Sequence, residues 1–121
     1  MSSATDTGLV DYSQIDSLLE VAGRDGVNEI LCAFWKSTDK LLRDLASEVA
    51  AQDFTSAART SHAIKGSSAN VGAHLLAGAA RDVEASCKIA DRAGALAAVT
   101  RAVAAYEKTR TALTARIEDA A

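Results

Sequence analysis

Apolar positions in this chain recur at three- and four-residue steps over long stretches, the spacing of a single helical face. Val27, Ile30, Leu31, Phe34, Leu41, Leu42, Leu45 and Val49 keep that rhythm for about six turns, which predicts a long helix with one buried side. Trp35 falls toward the edge of the face, where it is expected to pack. Ahead of this helix, Val10-Asp11-Tyr12-Ser13-Gln14-Ile15 reads as a helix entrance, with Asp11 as N-cap, Gln14 reaching back to it and Val10 stapled against Ile15. A short helix is expected from there to Ala22, broken by Gly23-Arg24-Asp25-Gly26.

Further along, Asp53 is placed to cap a helix carrying Phe54, Ala57, Ala58, Ser61, Ile64, Ser68 and Val71 on one face, and Gly72 ends it. A segment from about Ala73 to Ala90 aligns Leu75, Leu76, Ala79, Val83, Ser86 and Cys87. After a turn at Asp91-Arg92-Ala93-Gly94, Leu96, Val99, Val103, Tyr106, Leu113 and Ile117 form a coiled-coil-like seam with Arg110 as its one polar intruder. Four long amphipathic helices on short joints, preceded by a short one, bury their stripes most simply as an all-α, antiparallel four-helix bundle. The expected layout is a flexible arm over residues 1–9 and one bundle domain over 10–121.

Composition sharpens this reading. Of the 121 residues 49% are hydrophobic but only 4% aromatic, so the core must be aliphatic and rich in alanine, the best helix former. There is no proline. The net charge of −3 offers no basic footprint for nucleic-acid phosphates. No stretch reaches the roughly 18 apolar residues of a membrane helix, and Met1-Ser2-Ser3-Ala4-Thr5-Asp6 lacks the charged and apolar regions of a signal peptide. Cys32 and Cys87 form no close pair and read as two reduced, mostly buried thiols. A cytoplasmic, monomeric, free-standing protein with no membrane or nucleic-acid partner is expected.

The chemistry is concentrated in Ser61-His62-Ala63-Ile64-Lys65-Gly66-Ser67-Ser68-Ala69-Asn70-Val71-Gly72-Ala73. At about 100° per residue His62 lies roughly 120° from the centre of its helix's apolar face, so it should face water. Gly66 continues the same outer strip, although glycine inside a helix costs about 1 kcal/mol relative to alanine. A glycine kept at that cost suggests that something must approach the helix beside His62. Lys65 can bring its ammonium toward the imidazole and neutralise arriving oxyanions. A nucleophilic nitrogen, a counter-charge and an open approach together suit a phosphoryl acceptor.

These residues, His62-Ala63-Ile64-Lys65-Gly66-Ser67-Ser68 followed by Val71-Gly72-Ala73, Leu76 and Val83-Glu84, resemble the signature of the histidine-phosphotransfer (HPt) domain family, and the helix plan is similar along nearly the whole chain. Ser61 and Val83 stand where members of that family often carry Ala and Leu. The resemblance implies a phosphorelay intermediate: His62 accepts a phosphoryl group from a receiver-domain aspartate or a histidine kinase, hybrid kinases included, and passes it to another response-regulator receiver. It further implies that Glu84 hydrogen-bonds the ring and fixes its tautomer. Arg59 and Ala69 are docking-face candidates on the same helix. A carrier of this kind needs no cofactor of its own, with Mg²⁺ expected on the partner receiver rather than on this chain.

Other readings of the same residues are weaker. His74 lacks the Lys-Gly context. A zinc site from His62, His74 and Cys87 would need ligands at spacings that no helix face provides. Ser67 and Ser68 belong to no Gly-x-x-x-x-Gly-Lys-Ser/Thr run, which disfavours intrinsic ATP-dependent kinase activity. Arg59, Lys65, Arg81 and Lys88 suggest a positive rim, of which Arg59 and Lys65 are the expected functional pair. The alternative function class is a non-phosphorylated helical adaptor or structural bundle.

Overall fold

The computed structural model describes residues 8–120, and among them every regular element is a helix. These are α1 (Ser13–Ala50), α2 (Phe54–Asn70), α3 (His74–Lys88) and α4 (Arg92–Asp119). Sequential helices pack on one another, and α4 closes back on α1, so the four form a ring around one core. Of the arm expected over 1–9, residues 1–7 lie outside the described residues; Leu9 is half-buried against the core.

The expected short first helix is the part of α1 before Gly23, whose φ of 72° and ψ of 178° interrupt the helical path. The break is confined to Gly23; Arg24, Asp25 and Gly26 are already helical. Val10 and Ile15 are both buried. The expected cap does not form: the N-cap of α1 is Tyr12, without a side-chain cap hydrogen bond. Asp11, one residue earlier, accepts from Ser13 N at 3.0 Å in an Asx turn, and its own N–H donates across the bundle to Gly72 O at 2.8 Å instead of to Gln14.

The three joints share one construction. After α1, Gln52 N donates to Val49 O and Asp53 N to Glu48 O; after α2, Gly72 N donates to Ala69 O and Ala73 N to Ser68 O; after α3, Ala90 N donates to Cys87 O and Asp91 N to Ser86 O. Each is the paired-bond Schellman ending, which requires one residue in the left-handed region. Those residues are Gln52, Gly72 and Ala90, with φ of 59°, 77° and 54°. The next residue is in each case the N-cap of the following helix, and Asp53 and Asp91 accept from Ser56 N and Gly94 N. Gly94 therefore lies inside α4 rather than in a turn before it.

The core contains most of the expected positions, with informative exceptions. Ile30 and Leu75 are exposed, and so are Leu96 and Val103 of the expected seam. The face of α4 that turns inward carries Ala95, Ala98, Val99, Ala102, Ala105, Tyr106, Thr109, Leu113 and Ile117. Small side chains let α4 sit close to its neighbours, and Thr109 occupies the polar position of that face. Arg110 lies outside it, its guanidinium 5.3 Å from the Trp35 ring centroid. Trp35 packs edge-on to Phe34 and Tyr106, and Tyr106 Oη donates to Trp35 O at 3.2 Å. Burial, with Asp39 nearby, pushes the Tyr106 phenol up to about 12. Cys87 is buried as expected, but Cys32 is exposed.

Candidate functional site

The outer strip of α2 carries Arg59, His62, Gly66 and Ala69, all exposed. Their spacing of three, four and three residues keeps them on one side of the helix. Ser61, Ile64 and Ser68 point the other way and are buried, which turns His62 outward. The His62 side chain is 67% exposed, whereas that of Glu84 is only 11% exposed. Glu84 comes from the inner side of α3, next to the fully buried Val83, and emerges where α3 passes beneath His62.

Three groups meet the Glu84 carboxylate. His62 Nδ1 lies 3.2 Å from Oε2. Lys65 Nζ donates to Oε1 at 3.0 Å, and Lys88 Nζ lies 3.3 Å from Oε2. The Lys65 hydrogen bond, with help from Lys88, holds the Glu84 carboxyl below the usual range although burial opposes this. An ionised carboxylate only accepts hydrogen bonds, so the Nδ1 contact requires the proton on Nδ1. The lone pair of the neutral ring is then on Nε2.

Among the expected site residues, the fold brings His62, Lys65 and Glu84 into contact and leaves Gly66 open one turn from the histidine. A Cβ added at Gly66 would meet nothing within 4 Å. Arg59 shares a shallow cleft of about 440 Å³ with Ala58, His62, Ala63, Glu84 and Lys88 and makes no ion pair among the described residues. Ala69 continues the exposed strip two turns from His62. Lys88 is the residue that sequence reasoning underrated. Its signal was the Glu84–Lys88 spacing of four along one helix. Arg81, by contrast, lines a separate groove between α3 and α4 with Arg101 and Lys108.

His74 is exposed at the start of α3, apart from this cluster. Among the described residues no three His, Cys, Asp or Glu side chains are grouped as metal ligands. None of the described helices is long and apolar enough to cross a membrane.

The site can thus present an unprotonated ring nitrogen to solvent, with a buried anion behind the ring and two ammonium groups beside it. The Hpt domain family model matches residues 29–121. The chain belongs to the Hpt domain family. Its structure is similar to a rice protein described as a histidine-containing phosphotransfer protein, with 25% identity and a TM-score of 0.81 over 97% of this chain and 85% of that one. It is also similar to a maize histidine-containing phosphotransfer protein, with 27% identity and a TM-score of 0.79 over 98% of this chain and 91% of that one. No curated protein matches. The Hpt domain is therefore a phosphorelay intermediate of two-component signalling, a carrier rather than a kinase, working between histidine kinases and response regulators.

Proposed function

We propose that His62 is the phosphoryl acceptor of this Hpt domain and that Nε2 is the atom that takes the group. The observation that carries the assignment is the tie between Nδ1 of an exposed ring and the buried, ionised Glu84. With Nδ1–H held, the Nε2 lone pair attacks the phosphorus of a receiver's aspartyl phosphate. The new P–N bond forms as the P–O bond breaks, and the electron pair of that bond returns to the aspartate carboxylate. The ring becomes a phosphoimidazolium, and Glu84 balances its positive charge. Transfer onward runs the same step in reverse.

Phosphoryl transfer depends on positioning and charge stabilisation more than on covalent help from the protein. Lys65, about a third exposed, is placed to turn from Glu84 toward the phosphoryl oxygens. Gly66 leaves room for the receiver, and Arg59 and Ala69 extend the surface that it covers. Mg²⁺ belongs to the receiver in this scheme, and the carrier supplies no ATP chemistry of its own. Residues 10–121 act as one domain. A monomer in the cytoplasm fits the acidic charge and the two free cysteines.

Incubation with a phosphorylated receiver domain should deposit acid-labile, base-stable phosphate on the wild-type protein and none on His62→Gln. As a surface change, the substitution should alter stability by no more than about 0.5–1 kcal/mol. Labelling retained by that variant would refute the assignment, and an unlabelled wild type would favour the adaptor reading.

A further inference from the structure

Building on the assignment of His62, we infer that Lys88 is a positioning residue that sets how long the phosphoryl group survives on the ring. Lys88 Nζ and His62 Nδ1 approach the same oxygen, Glu84 Oε2, at 3.3 and 3.2 Å, while Lys65 holds Oε1. The two partners at Oε2 compete for its charge.

That competition bears directly on the P–N bond. When phosphate leaves His62 for water, the water oxygen forms a P–O bond, the P–N bond breaks, its electron pair goes to Nε2, and a water proton passes to solvent. If Nδ1 carries its proton, the departing group is a neutral imidazole. Without that proton it would be an imidazolate, a far poorer leaving group. Glu84 Oε2 is the acceptor that keeps the proton on Nδ1, and Lys88 withdraws negative charge from the same atom. Lys88 thereby weakens the hold on the proton and slows loss of the group.

An exposed Glu–Lys pair at this spacing normally does little beyond a few tenths of a kcal/mol of helix support. Two features set this pair apart. The Glu84 side chain is only 11% exposed, so it has little water to turn to. Lys88 also lines the cleft that contains His62, where the other cation, Arg59, has no ion pair among the described residues.

The test measures phosphohistidine decay at neutral pH. Wild type, Lys88→Ala and Lys88→Arg would be labelled by a phosphorylated receiver domain, freed of it, and followed over time. Lys88→Ala should shorten the half-life about two- to fivefold, the range a partly exposed ion pair controls, and Lys88→Arg should restore most of it. The ¹⁵N shift of Nδ1 in the phosphorylated protein should move toward the protonated ring in Lys88→Ala, a change that loss of a structural contact would not produce. A half-life that is unchanged or longer in Lys88→Ala overturns the role of Lys88 alone. Absence of label from wild type overturns the assignment of His62 and this inference with it.

Discussion

Gly66 is the position where stability and function should move in opposite directions. Its backbone has no need of glycine: it lies within α2, and a Cβ there would enter open space. Gly66→Gln should therefore gain the helix-propensity difference, about 0.5 kcal/mol. For a domain of this size that raises the melting temperature by about 2 °C. The same side chain would stand one turn, about 5.4 Å, from His62, on the surface a receiver must cover. Since a misplacement of about 1 Å can cost about a hundredfold in rate, transfer from a phosphorylated receiver should fall roughly ten- to a hundredfold. Rapid-quench labelling and a thermal melt on the same sample measure both effects. Gly78 of α3 supplies the control, because its Cβ position is equally open but it lines the groove between α3 and α4. Gly78→Gln should melt higher and transfer normally. Wild-type transfer by Gly66→Gln, or equal slowing by Gly78→Gln, would refute the argument that this strip is kept clear for a partner.

Lys65→Ala should slow transfer, and Lys65→Arg should keep part of the rate by retaining charge with altered geometry; equal rates for all three proteins would remove Lys65 from the mechanism. Because Lys65 and Lys88 lower the Glu84 carboxyl below 4.5, its ionic contribution to stability is present above that pH and is lost as acid brings the pH down through the native value. Discounted for the exposure of both lysines, the gap in unfolding free energy between wild type and Glu84→Gln should be about 1 kcal/mol or less at pH 7. Denaturant titrations should show it closing below pH 4.5, and a gap that persists in acid would count against the ionic account. At the joints, Gly72→Ala should destabilise by at least about 2 kcal/mol, since its Cβ would overlap the Asp11 carbonyl oxygen at a left-handed φ. Ala90→Gly should instead stabilise by up to about 1 kcal/mol in the same unfolding assay.

The helices and joints were legible because their signals are local. Asp53 caps, Gly23 and Gly72 break, and the aliphatic rhythm of α1 and α2 marks which side is buried. The cap at Asp91 was missed, because Asp91-Arg92-Ala93-Gly94 reads as a turn although α4 already begins at Arg92. The register of α4 was not legible in the same way. Leu96 and Val103 outrank alanine in hydrophobicity, yet close packing selected Ala95, Ala98, Ala102 and Ala105 for the inside. Size, rather than apolarity, decided that face. Gln52 and Ala90 were missed as left-handed residues because neither is glycine; the paired carbonyls of each helix end impose that conformation on them. In the site, His62, Lys65 and Gly66 stand out within five residues of sequence. The partnership of Glu84 with His62 and Lys65 depends on how α3 crosses α2, and no spacing along one helix reveals it; only its pair with Lys88, four residues on, is local.

The repeated joint turns loop length into a part of the chemistry. His62 and Glu84 are separated by 22 residues. That interval contains the last turns of α2, a three-residue connection whose hydrogen bonds leave no slack, and the first turns of α3. One residue added within either helical stretch would rotate its end by about 100° and carry the carboxylate off the ring. One added at the connection would break the paired bonds that set where α3 begins. The interval between the two residues thus acts as a fixed gauge. It distinguishes chains that can clamp the imidazole from helical bundles that merely carry a histidine followed by lysine and glycine.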